Sequence, residues 1–305
     1  MNVAACLLAY AAVLTWICPP VLERVTSHGV APRLGLAVWL TAIGTALIAW
    51  VGALCATALA VTSSIIRGTV VDYCPELFGF PEVATDPVKL LVSLTTALAL
   101  VATMWVTCRT VAGIYRLRTH SVEHARAIRI VGTATTRPDV VVIADRRPAA
   151  YCVAGRPHAI VVTSAAVHTL DRRQLAAVLA HEDAHIRGRH HQLLIVLRAV
   201  AAALPRLPLF AAGTSAATRL LEMCADDVAV RLYGAAPLVE SLVRLAELRA
   251  APAHLGAADT AVTARVTRLA RLAGPAQQWR HRTALTATVA VTVMAPATVA
   301  LLCAH

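Results

Sequence analysis

Four stretches of the chain carry no charged residue: Met1–Leu22, Leu34–Ile66, Leu90–Cys108 and Ala284–Cys303. A helix needs roughly 20 apolar residues to cross the hydrocarbon core of a bilayer, and each stretch is near or above that length. The first lacks the basic start and small-residue cleavage site of a signal peptide, so it reads as a membrane helix ended by Pro19 and Pro20. The second is longer than one crossing requires. No polar turn divides it, and one tilted or extended helix is expected rather than two. The pattern predicts transmembrane helices at about 2–22, 36–62 and 90–112, which make residues 1–118 an N-terminal membrane part. A fourth is expected over 283–305, with Pro296 inside it.

Between the third and fourth runs lies a long polar segment, 119–282, in which the periodicity changes. Asp139–Asp145 (DVVVIAD) reads as a strand, as do Ala149–Ala154 and Ala159–Thr163, with Gly155-Arg156-Pro157 as the turn between the last two. The spacing then becomes helical over Asp171–Arg187, His191–Leu204, Ser215–Leu232 and Leu238–Ala250. A small sheet followed by a group of helices is an α+β arrangement. The expected fold class is therefore an α+β membrane protein, with four transmembrane helices and one polar domain. The hairpin Ala149–Thr163 is the expected place for an open sheet edge, which can hold an extended peptide by main-chain pairing.

Charge orients this plan. The chain has 305 residues, 58% of them hydrophobic, a mean hydropathy of +0.67 and a net charge of +11. Lys89 is the only lysine. Residues 116–282 contain 23 arginines and 12 acidic residues, a surplus equal to the charge of the whole chain. The loop Arg67–Lys89 is acidic, with Asp72, Glu76, Glu82 and Asp86. Excess arginine marks cytoplasmic segments, so the polar domain is expected in the cytoplasm, with both termini outside. The arginines are dispersed rather than interleaved with aromatics, and direct nucleic-acid binding is not expected. The eight cysteines show no regular spacing and read as small buried hydrophobes.

The chemistry concentrates in Leu179-Ala180-His181-Glu182-Asp183-Ala184-His185, an H-E-x-x-H sequence. Four residues apart on a helix, His181 and His185 share a face and can grip one metal ion, while Glu182 can act as general base. Asp171 is a suitable N-cap for that helix. Two residues compete as third ligand. Glu222 stands in Leu221-Glu222-Met223-Cys224-Ala225-Asp226-Asp227, where Asp226, one turn on, can accept the second N–H of a metal-bound histidine. Alternatively, Glu222, Asp226 and Asp227 form a solvated face paired with Arg219 or Arg231. The rival ligand is His191, since 181–191 also fits H-E-x-x-H-x-x-G-x-x-H with Gly188 at its turn. Leu193, Leu194 and Leu197 continue a helical pattern after His191, which favours Glu222 and leaves His190 and His191 near the site mouth. Tyr151, His190, His191 and Arg231 are candidate oxyanion or proton donors that nothing in the sequence ranks.

The strand pair around Tyr151 and Ile160–Ser164, the segment Leu179–His190 and the segment Leu221–Arg231 together resemble the membrane metallopeptidases of the BlaR/MecR type, the β-lactam-sensor family. The resemblance implies a zincin-like peptidase domain after three membrane helices and before a fourth. It implies one Zn2+ held by His181, His185 and Glu222, with Glu182 as base. It also implies a protein substrate, in that family a BlaI/MecI-like repressor. The chain departs from the family's full-length sensors: no penicillin-binding domain follows Cys303, and there is no S-x-x-K set of motifs. A membrane quality-control or prenyl-protein-processing peptidase of the HtpX kind shares the same zinc residues. A non-catalytic membrane sensor is a further alternative, although a scaffold has no need of Glu182.

Overall fold

The computed structural model describes residues 3–67, 86–155, 158–249, 257–270 and 274–304. The acidic loop and the Arg156-Pro157 turn expected from the sequence lie outside the described residues. The chain opens with helix α1 (Val3–Ala12), which loosens into a π-helical turn over Val13–Ile17. It then bends by 55° into α2 (Pro19–Thr26). The break comes where Pro19 and Pro20 withdraw two amide donors, so the first run is a bent pair rather than one rod. Helix α3 (Pro32–Arg67) is a single unbroken helix over the second run.

Helix α4 (Asp86–Val131) departs from expectation. It continues past residue 112 through Arg116 and Arg118 into the polar domain, so position 118 falls inside a helix. Beyond Cys108, Ala125 and Ile128 recur on one face and pack against the sheet. The helix stops only at Gly132, where a Cβ would lie 2.1 Å from the Val141 side chain. Among the described residues, two helices, α3 and α4, are long and apolar enough to cross a membrane, or three if the bent pair counts as one span. They are used differently. Only 6% of the apolar stretch of α4 is buried, against 39% for α3. Leu94, Leu98, Val101 and Trp105 of α4 stand exposed, as lipid-facing residues do. The fourth run lies in α11 (Pro275–Ala304), a 30-residue helix with Pro296 inside that is not among those spans.

The sheet is four-stranded, in the order β1-β2-β4-β3. These strands are Thr133–Ala134, Val140–Ile143, Ala150–Val153 and Ala159–Thr163, numbered in chain order. β2 and β4 pair in parallel, β3 and β4 antiparallel. β4, buried at every position, is central, and β3 is an edge. Thr163 Oγ1 accepts the Ala166 N–H and caps α5 (Ser164–Thr169). Then α6 (Arg172–Arg187) begins with Asp171 accepting from Arg173 and Gln174, while Gln174 reciprocates to the Asp171 N–H. α7 (His190–Ala203), α8 (Pro208–Tyr233), α9 (Ala235–Arg249) and α10 (Ala257–Ala270) complete the domain. α10 was not anticipated from the sequence. One cysteine also departs from expectation: Cys6 is disulfide-bonded.

The largest apolar cluster among the described residues joins the candidate membrane helices to the domain. Trp39 and Phe210 are its bulkiest members, with Leu14, Val38, Leu209 and Leu220 around them. Trp39 of α3 is fully buried and donates its indole N–H to Thr26 Oγ1 at 3.0 Å. Gly213 lets α8 approach: a Cβ there would lie 2.7 Å from Ile43 and 3.2 Å from Trp39. Gly213→Leu is expected to push α3 and α8 apart and destabilise the protein by about 1–3 kcal/mol, read as a lowered thermal midpoint in detergent. Gly44→Leu, on the same α3 but with nothing within 4 Å of the new Cβ, should leave the midpoint near wild type.

Candidate metal centre

α6 crosses α8 at alanines. Ala177, Ala225 and Ala229 have no exposed surface, and short side chains allow the two backbones to come close. That approach brings the His181–His185 face of α6 against Glu222 of α8. The donor atoms of His181, His185 and Glu222 all lie within 4.8 Å of one another. His181 Nε2 and His185 Nε2 are 3.1 Å apart, and each is 3.4 Å from one oxygen of Glu222. Ligands held 2.0–2.1 Å from a tetrahedral ion stand about 3.3–3.4 Å from each other. The three protein donors therefore already have the spacing a small cation demands, and the residues fit the metal that the sequence motif implies.

Each histidine is oriented from behind. His181 Nδ1 is 3.1 Å from Asp226 Oδ1, so with Nε2 turned to the ligand triangle the Nδ1–H donates to the carboxylate. Asp226 is fully buried and is itself held by Arg265 of α10, whose Nε donates to Oδ2 at 2.9 Å. Arg265 Nη1 also lies 3.2 Å from Glu222 Oε2. Burial alone would raise the Asp226 carboxyl, but His181 and Arg265 hold it down at about 2. Likewise, burial works against a charged His181, yet Asp226 and Glu222 carry its pKa up to about 9. His185 has a neutral neighbour instead. Its Nδ1 is 2.9 Å from His190 Nδ1. With His185 Nε2 toward Glu222, its Nδ1–H donates and His190 accepts. Burial lowers the pKa of both rings, to about 4 for His185, consistent with neutral imidazoles.

Glu182 projects beside this triangle into a cavity of about 570 Å3, whose wall includes Tyr151, Cys152, His190 and His191. Burial raises its carboxyl above the usual range, with His181 opposing. A carboxylate so raised is a better proton acceptor near neutral pH. Cys152 of β3 is its neighbour, and burial together with Glu182 pushes the Cys152 thiol up to about 12. The edge strand thus runs along the catalytic cavity. Because Thr163 N–H bonds Ala149 O, the alternation of an antiparallel pair turns the main-chain groups of Ala150 and Cys152 away from β4, toward the open side.

The sequence candidates separate cleanly. His181, Glu182, His185, Glu222, Tyr151, His190 and His191 line one cavity, with Asp226 behind it. Arg231 does not join them: it is exposed in the last turn of α8, and nine residues from Glu222 on a helix places it on the opposite side. The solvated-face alternative does not describe the acids either. Arg219 pairs with Glu23, and Asp227 with Arg268. His191 is outside the donor triangle and bonds Ser121 Oγ at 2.9 Å. The turn after α6 is made by Arg189, at φ 51°, while Gly188 is right-handed. Gly188 instead makes room: a Cβ there would lie 2.3 Å from the His190 ring. Arg265 and the supporting role of His190 were missed. The available signal for α10 was the apolar spacing of Val262, Val266 and Leu269.

These contacts predict a ranked loss of metal, measured by elemental analysis on detergent-purified variants with folding checked in parallel. Glu222→Ala should lose the ion, and His191→Ala should stay near stoichiometric; the reverse would assign the third ligand to His191. Asp226→Ala should weaken binding by roughly 10- to 100-fold. Gly188→Ala should weaken it in the same range without unfolding the chain, because it displaces the His190 ring from His185.

Comparison with known protein families finds a match to the model of Peptidase family M48 over residues 117–288, from the end of α4 into α11. No curated protein and no solved structure matches. The matched segment is more than half of the chain and contains every residue of the donor triangle and its supports. The chain belongs to peptidase family M48, a family of metallopeptidases.

Proposed function

We propose that the protein is an integral-membrane zinc endopeptidase. The observation that carries this reading is the donor triangle of His181, His185 and Glu222 beside a buried Glu182, at the edge of an open strand. An N,N,O donor set of this spacing suits Zn2+, which when bound there supplies Lewis-acid activation of water and of a peptide carbonyl. The protein's own groups do the rest. The outward main-chain groups of Ala150 and the Cys152 carbonyl pair with an extended substrate and fix its height above α6, while the Cys152 N–H donates to Glu182. Glu182 accepts a proton from the attacking water and returns it to the leaving amine. Tyr151 stands in the wall of the cavity as a donor to the developing oxyanion.

The substrate reading is regulatory cleavage of a cytoplasmic BlaI/MecI-like repressor. It is supported by the order of apolar runs around one polar domain and by the arginine surplus of 116–282. Four crossings, a cytoplasmic domain and both termini outside belong to the same reading. A second reading, membrane protein quality control, is favoured by the aliphatic part of the cavity wall. Val178, Leu194, Leu238, Leu242 and Leu245 line it and accept an apolar segment of any sequence.

Glu182→Gln is expected to retain zinc and lose at least about 100-fold in peptide cleavage, measured on detergent-purified protein; turnover above a few per cent of wild type would remove Glu182 as the base. For the topology, reporter fusions after Ala250 and at His305 should report opposite sides of the membrane. Reports from the same side would refute the four-helix plan.

A further inference from the structure

The catalytic cavity does not end at β3. Tyr151, Cys152 and His191 line it and also line a second cavity, of about 280 Å3, toward the C-terminal end of the strand. Val153 and Ala154 continue its floor, α4 contributes His120, Ser121 and His124, and α7 contributes Arg198. The lining contains three histidines, an arginine and two hydroxyls, and no carboxylate among the described residues. His120 and His124 are one helical turn apart, so both rings reach the same side of α4. Arg198 is exposed and forms no ion pair among the described residues. The Ser121 hydroxyl, 2.9 Å from His191 Nε2, fixes that ring in the wall between the two cavities. The Ser121 hydroxyl proton goes to Leu117 O, and no carboxylate in the lining answers the Arg198 charge.

We propose that this second cavity is a subsite for an acidic side chain of the peptide substrate, gripped by Arg198 with His120 and His124 beside it. The inference rests on the endopeptidase reading and supplies its sequence preference. A strand advances about 3.3 Å per residue, so a peptide laid along β3 with its scissile bond near Cys152 reaches Ala154 two or three residues away. There a carboxylate meets a free guanidinium, whose planar fork suits it. An anionic lipid headgroup offers related chemistry, since α4 is also a candidate membrane span. The shared wall with the catalytic cavity favours the substrate.

The test is cleavage-site profiling of a proteome-derived peptide library by mass spectrometry, with wild type, Arg198→Gln and Arg198→Glu compared in nanodiscs. Wild type should enrich Asp or Glu two or three residues from the cleaved bond. Arg198→Gln should lower kcat/KM for a Glu-containing peptide about tenfold relative to its Gln counterpart, and Arg198→Glu should shift the preference toward Lys and Arg. The same peptide pair is bound to the Glu182→Gln protein, a measurement independent of turnover. Tighter binding of the Glu peptide that disappears on adding Arg198→Gln supports the subsite even if wild type cleaves nothing, and in that case only the peptidase reading fails. Equal binding of the two peptides, or acidic enrichment that survives Arg198→Gln, overturns the proposal. So does a result in which Arg198→Gln affects only binding to phosphatidylglycerol nanodiscs relative to phosphatidylcholine ones.

Discussion

The close crossing of α6 and α8 is the constraint on which the site depends. Two histidines on one helix define only two corners of a metal site, and the third must come from elsewhere at the same height. Ala177, Ala225 and Ala229 set that height by being too small to hold the helices apart. The rest of the domain arranges itself around this crossing. The sheet packs on one side of α6, and α9 and α10 close the other.

A second condition follows from burying charge. Asp226 has no exposed surface, and an unpaired carboxylate in such a place costs several kcal/mol. His181 and Arg265 share its two oxygens, so the helix that supplies the acid also requires α10 to supply the base. Arg265 then touches Glu222 as well. A structural ion pair and a candidate metal ligand are thereby joined in one network, and a change at α10 is felt at the donor triangle, whose cavity Arg265 itself lines.

Much of this was legible in the sequence because it is local. The H-E-x-x-H spacing, the Asp171 cap and the three strands of alternating or continuous apolar character are written within a few residues each, and the structure reproduces them with shifts of one or two positions. What escaped is long-range. The open edge was expected in the Ala149–Thr163 hairpin and is β3, but the parallel pairing of β2 with β4, which puts β4 at the centre of the sheet, is encoded by no local pattern. Arg265 meets Asp226 across 39 residues, from a helix with weak punctuation. Arg231, a candidate donor in the sequence, is turned to solvent by helical phase. Gly188 fitted a turn motif, yet it serves as space for an imidazole. The run of α4 beyond the expected span was hidden for another reason: hydropathy reports where lipid ends, not where a helix does.

The length of α8 has a geometric meaning. Gly213 packs on Ile43, inside the apolar span of α3, and Glu222 follows nine residues later on the same rigid helix. At 1.5 Å per residue the two are about 14 Å apart along the axis. Once α3 lies across a bilayer, the catalytic centre is tethered at a set elevation above it. On the proposed endopeptidase reading, such an enzyme would select by altitude before it selects by sequence: a scissile bond would have to be delivered close to the lipid surface, and an equally good sequence held farther out would pass untouched.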